Sequence, residues 1–246
     1  MPEVKDLLVL QSFESKQNSV YLTRPKEEGN STLYLSKKFL PPYIFDKMIR
    51  EKQLLQGLIQ EGVSVARFIT VKEGSILLEY IDGSLLIDII SEQEIIAGPD
   101  SSCITLPVYQ IINSLSAWLK DFYTATNKIA GKQLILGDIS FRNFIVREKL
   151  YGINFQECRE GHIEEDVARL CAFALTYKPA FTTWKLTMVT EMLKTLIGDL
   201  SLNSELTKKY LKKELLTLIP CGKVFSHKYV GLLLDNLLQR ILFVNT

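Results

Sequence analysis

The sequence predicts an α+β fold in two parts: an N-terminal antiparallel sheet with one helix, followed by a mainly helical C-terminal part. Short apolar runs rich in β-branched and aromatic residues, separated by polar clusters, occupy residues 6–39, a pattern typical of strands. After residue 83 the apolar residues recur at three- and four-residue spacings through 108–130 and most of 184–239, which indicates amphipathic helices. This change of period predicts two structural parts in one chain.

In the N-terminal part, the pattern predicts three strands, a helix and a further hairpin. Gly29-Asn30 is a turn signal before the third strand, and Pro41-Pro42 ends that strand. Apolar residues at helical spacing then predict a helix over 44–59, and the Gly-containing loop 72–74 predicts a hairpin. The runs assigned to strands are 7–10, 19–22, 33–35, 63–71 and 75–81.

In the C-terminal part, helical spacing is interrupted by one island of short apolar runs. Helices are expected at 85–90 and 108–130, and the island at 133–155 holds two runs, 144–146 and 151–155, that read as a second hairpin. The segment Ile-Asp-Gly-Ser that starts at Ile81 is the expected hinge. We therefore divide the chain into an N-lobe, residues 1–81, and a C-lobe, residues 82–246.

The composition excludes several classes of function. The 29 basic and 28 acidic side chains nearly cancel, so no overall positive field would attract nucleic acid. No apolar run approaches the roughly 20 residues that a transmembrane helix needs, so no transmembrane segment is expected. The four cysteines form no Cys-x-x-Cys pair, which favours a reducing, cytoplasmic setting. The two histidines are too few and too isolated to suggest a zinc site.

The island contains a polar constellation at residues 136–146, Leu-Gly-Asp-Ile-Ser-Phe-Arg-Asn-Phe-Ile-Val. Asp138 and Asn143 stand five positions apart, just before an apolar strand, and the segment resembles a kinase catalytic loop. This resemblance implies that Asp138 accepts or orients the proton of an acceptor hydroxyl, and that Asn143 helps to hold a magnesium ion. The alternative is a turn closed by local side-chain caps. The preceding amphipathic helix, the glycine before Asp138 and the following hairpin favour the kinase interpretation.

Other segments resemble further parts of a kinase-like domain. The run Leu-Tyr-Leu-Ser-Lys-Lys-Phe is similar to the strand whose lysine contacts the α- and β-phosphates of ATP, which implies this role for Lys37, or for Lys38 if the register is shifted by one. Glu51 on the next helix would pair with that lysine. The run Ile-Leu-Leu-Glu-Tyr-Ile-Asp-Gly resembles a kinase hinge, so main-chain groups near Glu79 and Ile81 would bind adenine.

One position departs from the kinase pattern. Asn154 in Ile-Asn-Phe-Gln stands where the family normally has the metal-binding Asp of Asp-Phe-Gly or Asp-Phe-Glu. The resemblance implies that Asn143 and Asn154 are the metal ligands, although a neutral amide lacks the charge that favours a hard dication. Glu157 is a candidate for the missing carboxylate. Asp166 in Glu-Glu-Asp-Val-Ala is similar to the aspartate that binds the amides of the catalytic loop, a role close to an ordinary helix N-cap.

The short distance in sequence between Asn154 and Asp166 narrows the set of kinase-like families that the chain resembles. Only about a dozen residues separate Asn154 from Asp166, which leaves no room for a long activation segment. This is similar to aminoglycoside phosphotransferases, lipopolysaccharide kinases and small atypical Ser/Thr kinases. The segment 11–21, where a phosphate-covering loop would lie, contains no glycine, so Ser15, Lys16 and Asn18 are the side chains available for phosphate contacts.

The resemblance implies an ATP-dependent phosphotransferase that uses Mg²⁺ or Mn²⁺ and transfers the γ-phosphoryl group to a hydroxyl acceptor. The acceptor, a small molecule, a glycan or a protein, carries no recognisable motif. An alternative is a pseudokinase, a nucleotide- or partner-binding module that lost turnover with Asn154 in place of aspartate. An α+β scaffold without nucleotide affinity is a third reading.

Overall fold

The computed structural model describes residues 6–13, 18–27, 31–40, 44–72 and 74–218. Several predicted features lie outside these ranges. They are the turn at Gly29-Asn30, the strand end at Pro41-Pro42, the loop side chains Ser15 and Lys16, and the helical pattern after residue 218.

The N-terminal part is a five-stranded antiparallel sheet with one helix, as the sequence predicts. The strand order is β1-β2-β3-β5-β4, and α1 packs on β3, β4 and β5. A bulge between Val9 and Gln11 interrupts the pairing of β1, an edge strand whose residues Leu8, Val9 and Leu10 are exposed. The elements are β1 (Leu7–Phe13), β2 (Asn18–Pro25), β3 (Tyr34–Phe39), α1 (Ile44–Gln60), β4 (Phe68–Lys72) and β5 (Ser75–Glu79).

The C-terminal part is mainly helical, which confirms the predicted α+β class. Two small antiparallel sheets, β6-β8-β9 and β10-β7, carry the segments between the helices. The elements are β6 (Ser84–Leu85), α2 (Leu86–Ala97), α3 (Leu106–Ala130), β7 (Leu134–Ile135), β8 (Phe144–Val146), β9 (Leu150–Gly152), β10 (Arg159–Glu160), α4 (Ile163–Thr176), α5 (Thr183–Asp199) and α6 (Ser204–Leu218). None of the helices in the described ranges is long and apolar enough to cross a membrane.

The observed element boundaries differ from the predicted ones where the backbone turns. The strand predicted at 63–71 begins only at Phe68, and the strand predicted at 151–155 ends at Gly152. That second strand stops because Asn154 has a φ of 67°, a left-handed conformation that an extended strand does not contain. The helix predicted at 85–90 is longer and reaches Ala97.

Trp118 of α3 joins the two parts. Its ring stacks on Phe122 and meets Phe144 edge-on, and its Nε1 donates a hydrogen bond of 2.8 Å to the carbonyl of Ser64, between α1 and β4. A Cβ on Gly152 would lie 2.0 Å from the Trp118 ring, so only glycine fits there. Burying each of these rings contributes about 1.5–3 kcal/mol. Trp118 therefore connects this aromatic cluster to the segment between α1 and β4.

A buried ion pair, which the sequence analysis did not predict, joins α2 to α5. Lys185 Nζ lies 2.9 Å from Glu94 Oε2, and the two side chains are 0% and 5% exposed. The Thr182 hydroxyl donates to Glu94 at 2.6 Å, while Lys185 also donates to the carbonyls of Tyr177 and Pro179. Because both charges are desolvated, each depends on the other.

Candidate functional site

Lys37 and Glu51 form a buried ion pair between β3 and α1. Lys37 Nζ lies 2.9 Å from Oε1 and 2.7 Å from Oε2 of Glu51, and the side chains are 6% and 1% exposed. Strand alternation turns Lys37 inward and leaves the neighbouring Lys38 exposed. Glu51 is buried because it shares a helix face with Leu54, Leu55 and Leu58. The structure thus brings Lys37, and not Lys38, to Glu51.

Asn154 is the third member of this cluster. Its Oδ1 accepts a hydrogen bond of 3.0 Å from Lys37 Nζ, and the N–H of Phe155 donates to Glu51 Oε1 at 3.3 Å. The left-handed φ of 67° at Asn154 suits asparagine and aspartate better than other residues with a side chain. Ile153 N–H donates to the carbonyl of Asn143 at 2.8 Å. Lys37, Glu51 and Asn154 therefore lie beside the segment that carries Asn143.

Asp166 holds the backbone before Asp138. Its carboxylate accepts hydrogen bonds from the N–H groups of Leu136 at 2.6 Å and Gly137 at 2.9 Å, and from the Tyr123 hydroxyl at 3.0 Å. Burial raises the pKa of Asp166 to about 6, and these three donors oppose the shift. Gly137 has a φ of 75°, and a Cβ there would lie 2.5 Å from a carbonyl oxygen, so the turn requires glycine.

Asp138 pairs with Arg169 of α4, a partner that the sequence analysis missed. Arg169 Nη2 lies 3.0 Å from Asp138 Oδ1, and Arg169 Nη1 lies 3.7 Å from Glu214 Oε2 of α6. The Asp138 side chain is 50% exposed, so a solute can reach it. The available signal was spacing, since Arg169 follows Asp166 by three residues and so shares its helix face.

The side chain of Asn143 faces its own loop. Its Oδ1 accepts hydrogen bonds from the backbone N–H of Ser140 at 2.7 Å and from the Ser140 hydroxyl at 2.9 Å. Ser140 Oγ in turn accepts from Arg142 N–H at 3.3 Å, which caps the short 3₁₀ turn Phe141–Asn143. A turn closed by local side-chain caps, the alternative to the kinase interpretation, is therefore present at this position.

A kinase-like fold implies a divalent metal, and the side chains described here fit one poorly. The amide oxygens of Asn143 and Asn154 already accept hydrogen bonds. Glu157, the candidate replacement carboxylate, lies 2.9 Å from Lys47 of α1 and pairs with that cation. Within the described ranges, no three His, Cys, Asp or Glu side chains converge in a way that could hold a metal ion. A hard dication needs free and preferably anionic oxygen ligands.

The segment after β5, Tyr-Ile-Asp-Gly, connects the two parts. Glu79 ends β5, where it pairs with Tyr34 of β3, and its N–H donates to the carbonyl of Arg67 at 2.9 Å. Ile81 is buried, with 6% of its surface exposed. The buried amide of Asn18, the first residue of β2, donates to the side chain of Gln156. The start of β2 therefore contacts the chain that follows Asn154.

The order of elements, with the Lys37–Glu51–Asn154 cluster between sheet and helices, is that of a bilobal kinase-like fold, as the sequence predicts. No family model matches the chain, and no curated protein matches it. Among solved structures it is similar to the amicoumacin kinase hAmiN in complex with AMP-PNP, Ca²⁺ and Ami. That match has a TM-score of 0.53 and 13% identity, and covers 98% of this chain and 88% of that chain. The likeness is one of fold, and the predicted branch stays a prediction.

Proposed function

We propose that this chain binds ATP between the sheet and the helical part and transfers its γ-phosphoryl group to a hydroxyl acceptor. The observation that carries the proposal is the buried Lys37–Glu51 pair in contact with Asn154. Burying a lysine and its carboxylate partner costs desolvation free energy. The lysine that is held in this way presents a fixed positive charge to an anion. The fold shared with a kinase whose structure contains AMP-PNP gives further support.

Each remaining site residue has a role in this proposal. Lys37 contacts the phosphates and Glu51 holds it in place, while main-chain groups near Glu79 and Ile81 meet the adenine edge. Asp138 orients the acceptor hydroxyl, and the ion pair with Arg169 holds that carboxylate in place. Asn143 and Asn154, the predicted ligands of Mg²⁺ or Mn²⁺, accept hydrogen bonds from Ser140 and from Lys37. A metal ion bound to the phosphates would contact these two side chains only if their amide oxygens first lost the hydrogen bonds from Ser140 and Lys37.

The proposal places the protein in the cytoplasm, where ATP is available. Cys103, Cys158 and Cys171 are free thiols, which suits a reducing compartment. The acceptor is a small molecule, a glycan or a protein hydroxyl. The segment from Ile81 to Ser84 is proposed as the hinge between the two lobes, residues 1–81 and 82–246.

Titration calorimetry with AMP-PNP tests the nucleotide site. Lys37→Met is expected to weaken binding at least about tenfold because a charge-assisted contact is lost. Lys38→Met, on the opposite face of the same strand, is the matched control and should bind normally. Lys37→Met leaves Glu51 buried without its cation, at a cost of about 3–5 kcal/mol, so the pair Lys37→Met with Glu51→Gln is measured as well. Equal affinity in all four proteins would refute the site.

Transfer is tested on the wild-type chain by following ADP release with sugars, amino-glycosidic antibiotics, lipid-linked glycans and hydroxyl-containing peptides. Asp138→Asn is expected to abolish acceptor-dependent ADP release while AMP-PNP binding persists, because Asp138 acts on the acceptor alone. Release that survives in Asp138→Asn would remove Asp138 from the reaction.

A second candidate function is a nucleotide-binding pseudokinase. It is favoured by the neutral Asn154 and by the poor fit to a metal described above. Asn154→Asp separates the two: a strong gain of ATP hydrolysis or transfer in this variant, from an inactive wild type, would support the pseudokinase. Turnover by the wild-type chain would support the phosphotransferase.

A further inference from the structure

We infer that the proposed nucleotide site beside Lys37 binds its nucleotide without a divalent cation, and that Asn154 is the residue that makes this possible. The inference rests on the proposed nucleotide site and specifies the form in which that site takes its ligand. It follows from the charges and the hydrogen bonds around Lys37.

The carboxylates assigned to the proposed nucleotide site, or next to it in sequence, are already paired with cationic side chains. The carboxylate of Glu51 pairs with Lys37, that of Asp138 with Arg169 and that of Glu157 with Lys47. Because each of these carboxylates has a cation within 3.0 Å, none of them presents an uncompensated negative charge to a triphosphate. A divalent cation is therefore not needed here to relieve repulsion between protein carboxylates and the phosphates.

The oxygen atoms that a metal would need are also engaged. Asn154 Oδ1 accepts from the ammonium of Lys37 at 3.0 Å, and Asn143 Oδ1 accepts from the N–H and the hydroxyl of Ser140. Replacing these donors by a dication would break three hydrogen bonds. It would also set two positive charges beside the ammonium of Lys37 without any added negative charge from the protein.

Asn154→Asp would change both features, because it adds an unpaired negative charge and an oxygen that can bind a metal ion. Aspartate tolerates the left-handed backbone at this position as well as asparagine does, so the fold is expected to remain. The new carboxylate would compete with the phosphates for Lys37 and repel them. A divalent ion would then be needed to join the carboxylate to the nucleotide.

The experiment measures ATP affinity by titration calorimetry, in EDTA and in excess Mg²⁺. For the wild type we expect dissociation constants that agree within about threefold between the two conditions. For Asn154→Asp we expect metal-free affinity to fall at least about tenfold and Mg²⁺ to restore most of it.

Asn203→Asp is the matched control. It adds the same charge at the start of α6, where the Asn203 side chain accepts from Leu206 N–H at 3.0 Å and aspartate caps equally well. This variant should match the wild type in both conditions.

The outcomes separate the two proposals. Absence of ATP binding in both conditions would overturn the nucleotide site and the inference with it. Wild-type binding that requires Mg²⁺ would overturn the inference alone and leave the site standing. Asn154→Asp that binds metal-free ATP like the wild type would show that Asn154 is not the determinant. If that variant does not fold by circular dichroism, the wild-type comparison still decides whether binding needs a metal.

Discussion

The buried carboxylate of Asp166 makes the stability of this fold depend on pH in a calculable direction. Its pKa rises from 3.8 to about 6 on folding because burial disfavours the charged form. The folded state therefore binds the proton more tightly than the unfolded state. The stability that this proton contributes is fully present below pH 3.8 and is lost as the pH rises through about 6. Between about pH 4.5 and about pH 7.5 the loss amounts to roughly 2 kcal/mol.

Asp166→Asn removes this titration. The amide has a single acceptor oxygen, so one of the N–H groups of Leu136 and Gly137 loses its partner. That loss costs about 1–3 kcal/mol at every pH. The variant is thus expected to be less stable than the wild type near pH 4.5. Between about pH 4.5 and about pH 7.5 the wild type should lose roughly 2 kcal/mol of unfolding free energy that the variant does not lose.

Urea unfolding of both proteins across this pH range measures the difference. Tyr123→Phe is the companion variant. It removes the hydroxyl donor and leaves the carboxylate, so the pKa of Asp166 should lie higher and the loss should extend to higher pH. A difference between Asp166→Asn and the wild type that stays constant with pH would refute the reasoning.

Two other changes test the packing. Glu94→Gln leaves Lys185 buried without its carboxylate and should destabilise the protein by about 3–5 kcal/mol in urea unfolding, while adding Lys185→Met should recover much of this. If the single variant is as stable as the wild type, the pair does not hold α2 to α5. Gly152→Ala should cost about 1–3 kcal/mol, because its Cβ would overlap the ring of Trp118, with Gly198→Ala as a control in open space. Equal urea midpoints for these two alanine variants would contradict the packing argument.

Local periodicity explains why Lys37 and Glu51 face inward, whereas their pairing was predicted only from the resemblance to a kinase-like domain, with Lys38 as the alternative lysine. Alternation along β3 places Lys37 on one face, and helical spacing places Glu51 beside Leu54, Leu55 and Leu58. These rules act within an element and need no knowledge of the tertiary structure. The same periodicity predicted the five-stranded sheet and the helical character of the second part.

The contacts that the sequence could not predict are those between distant elements. Arg169 reaches Asp138 only because Asp166 draws the loop onto the start of α4. The strands β7 and β10 have two residues each, too few to show a period. The buried partnership of Lys185 and Glu94 depends on how α5 crosses α2, and a lysine and a glutamate on a helix otherwise read as surface charges.

The bulge in β1 bears on how this protein behaves at high concentration. An outermost strand with a run of exposed aliphatic side chains is a template on which a second chain can add itself, and such additions lead to aggregates. The extra residue between Val9 and Gln11 breaks the regular ladder in the middle of that run and increases the local twist. An incoming strand can therefore match only a short stretch on either side of the kink, which opposes growth of the sheet at its β1 edge.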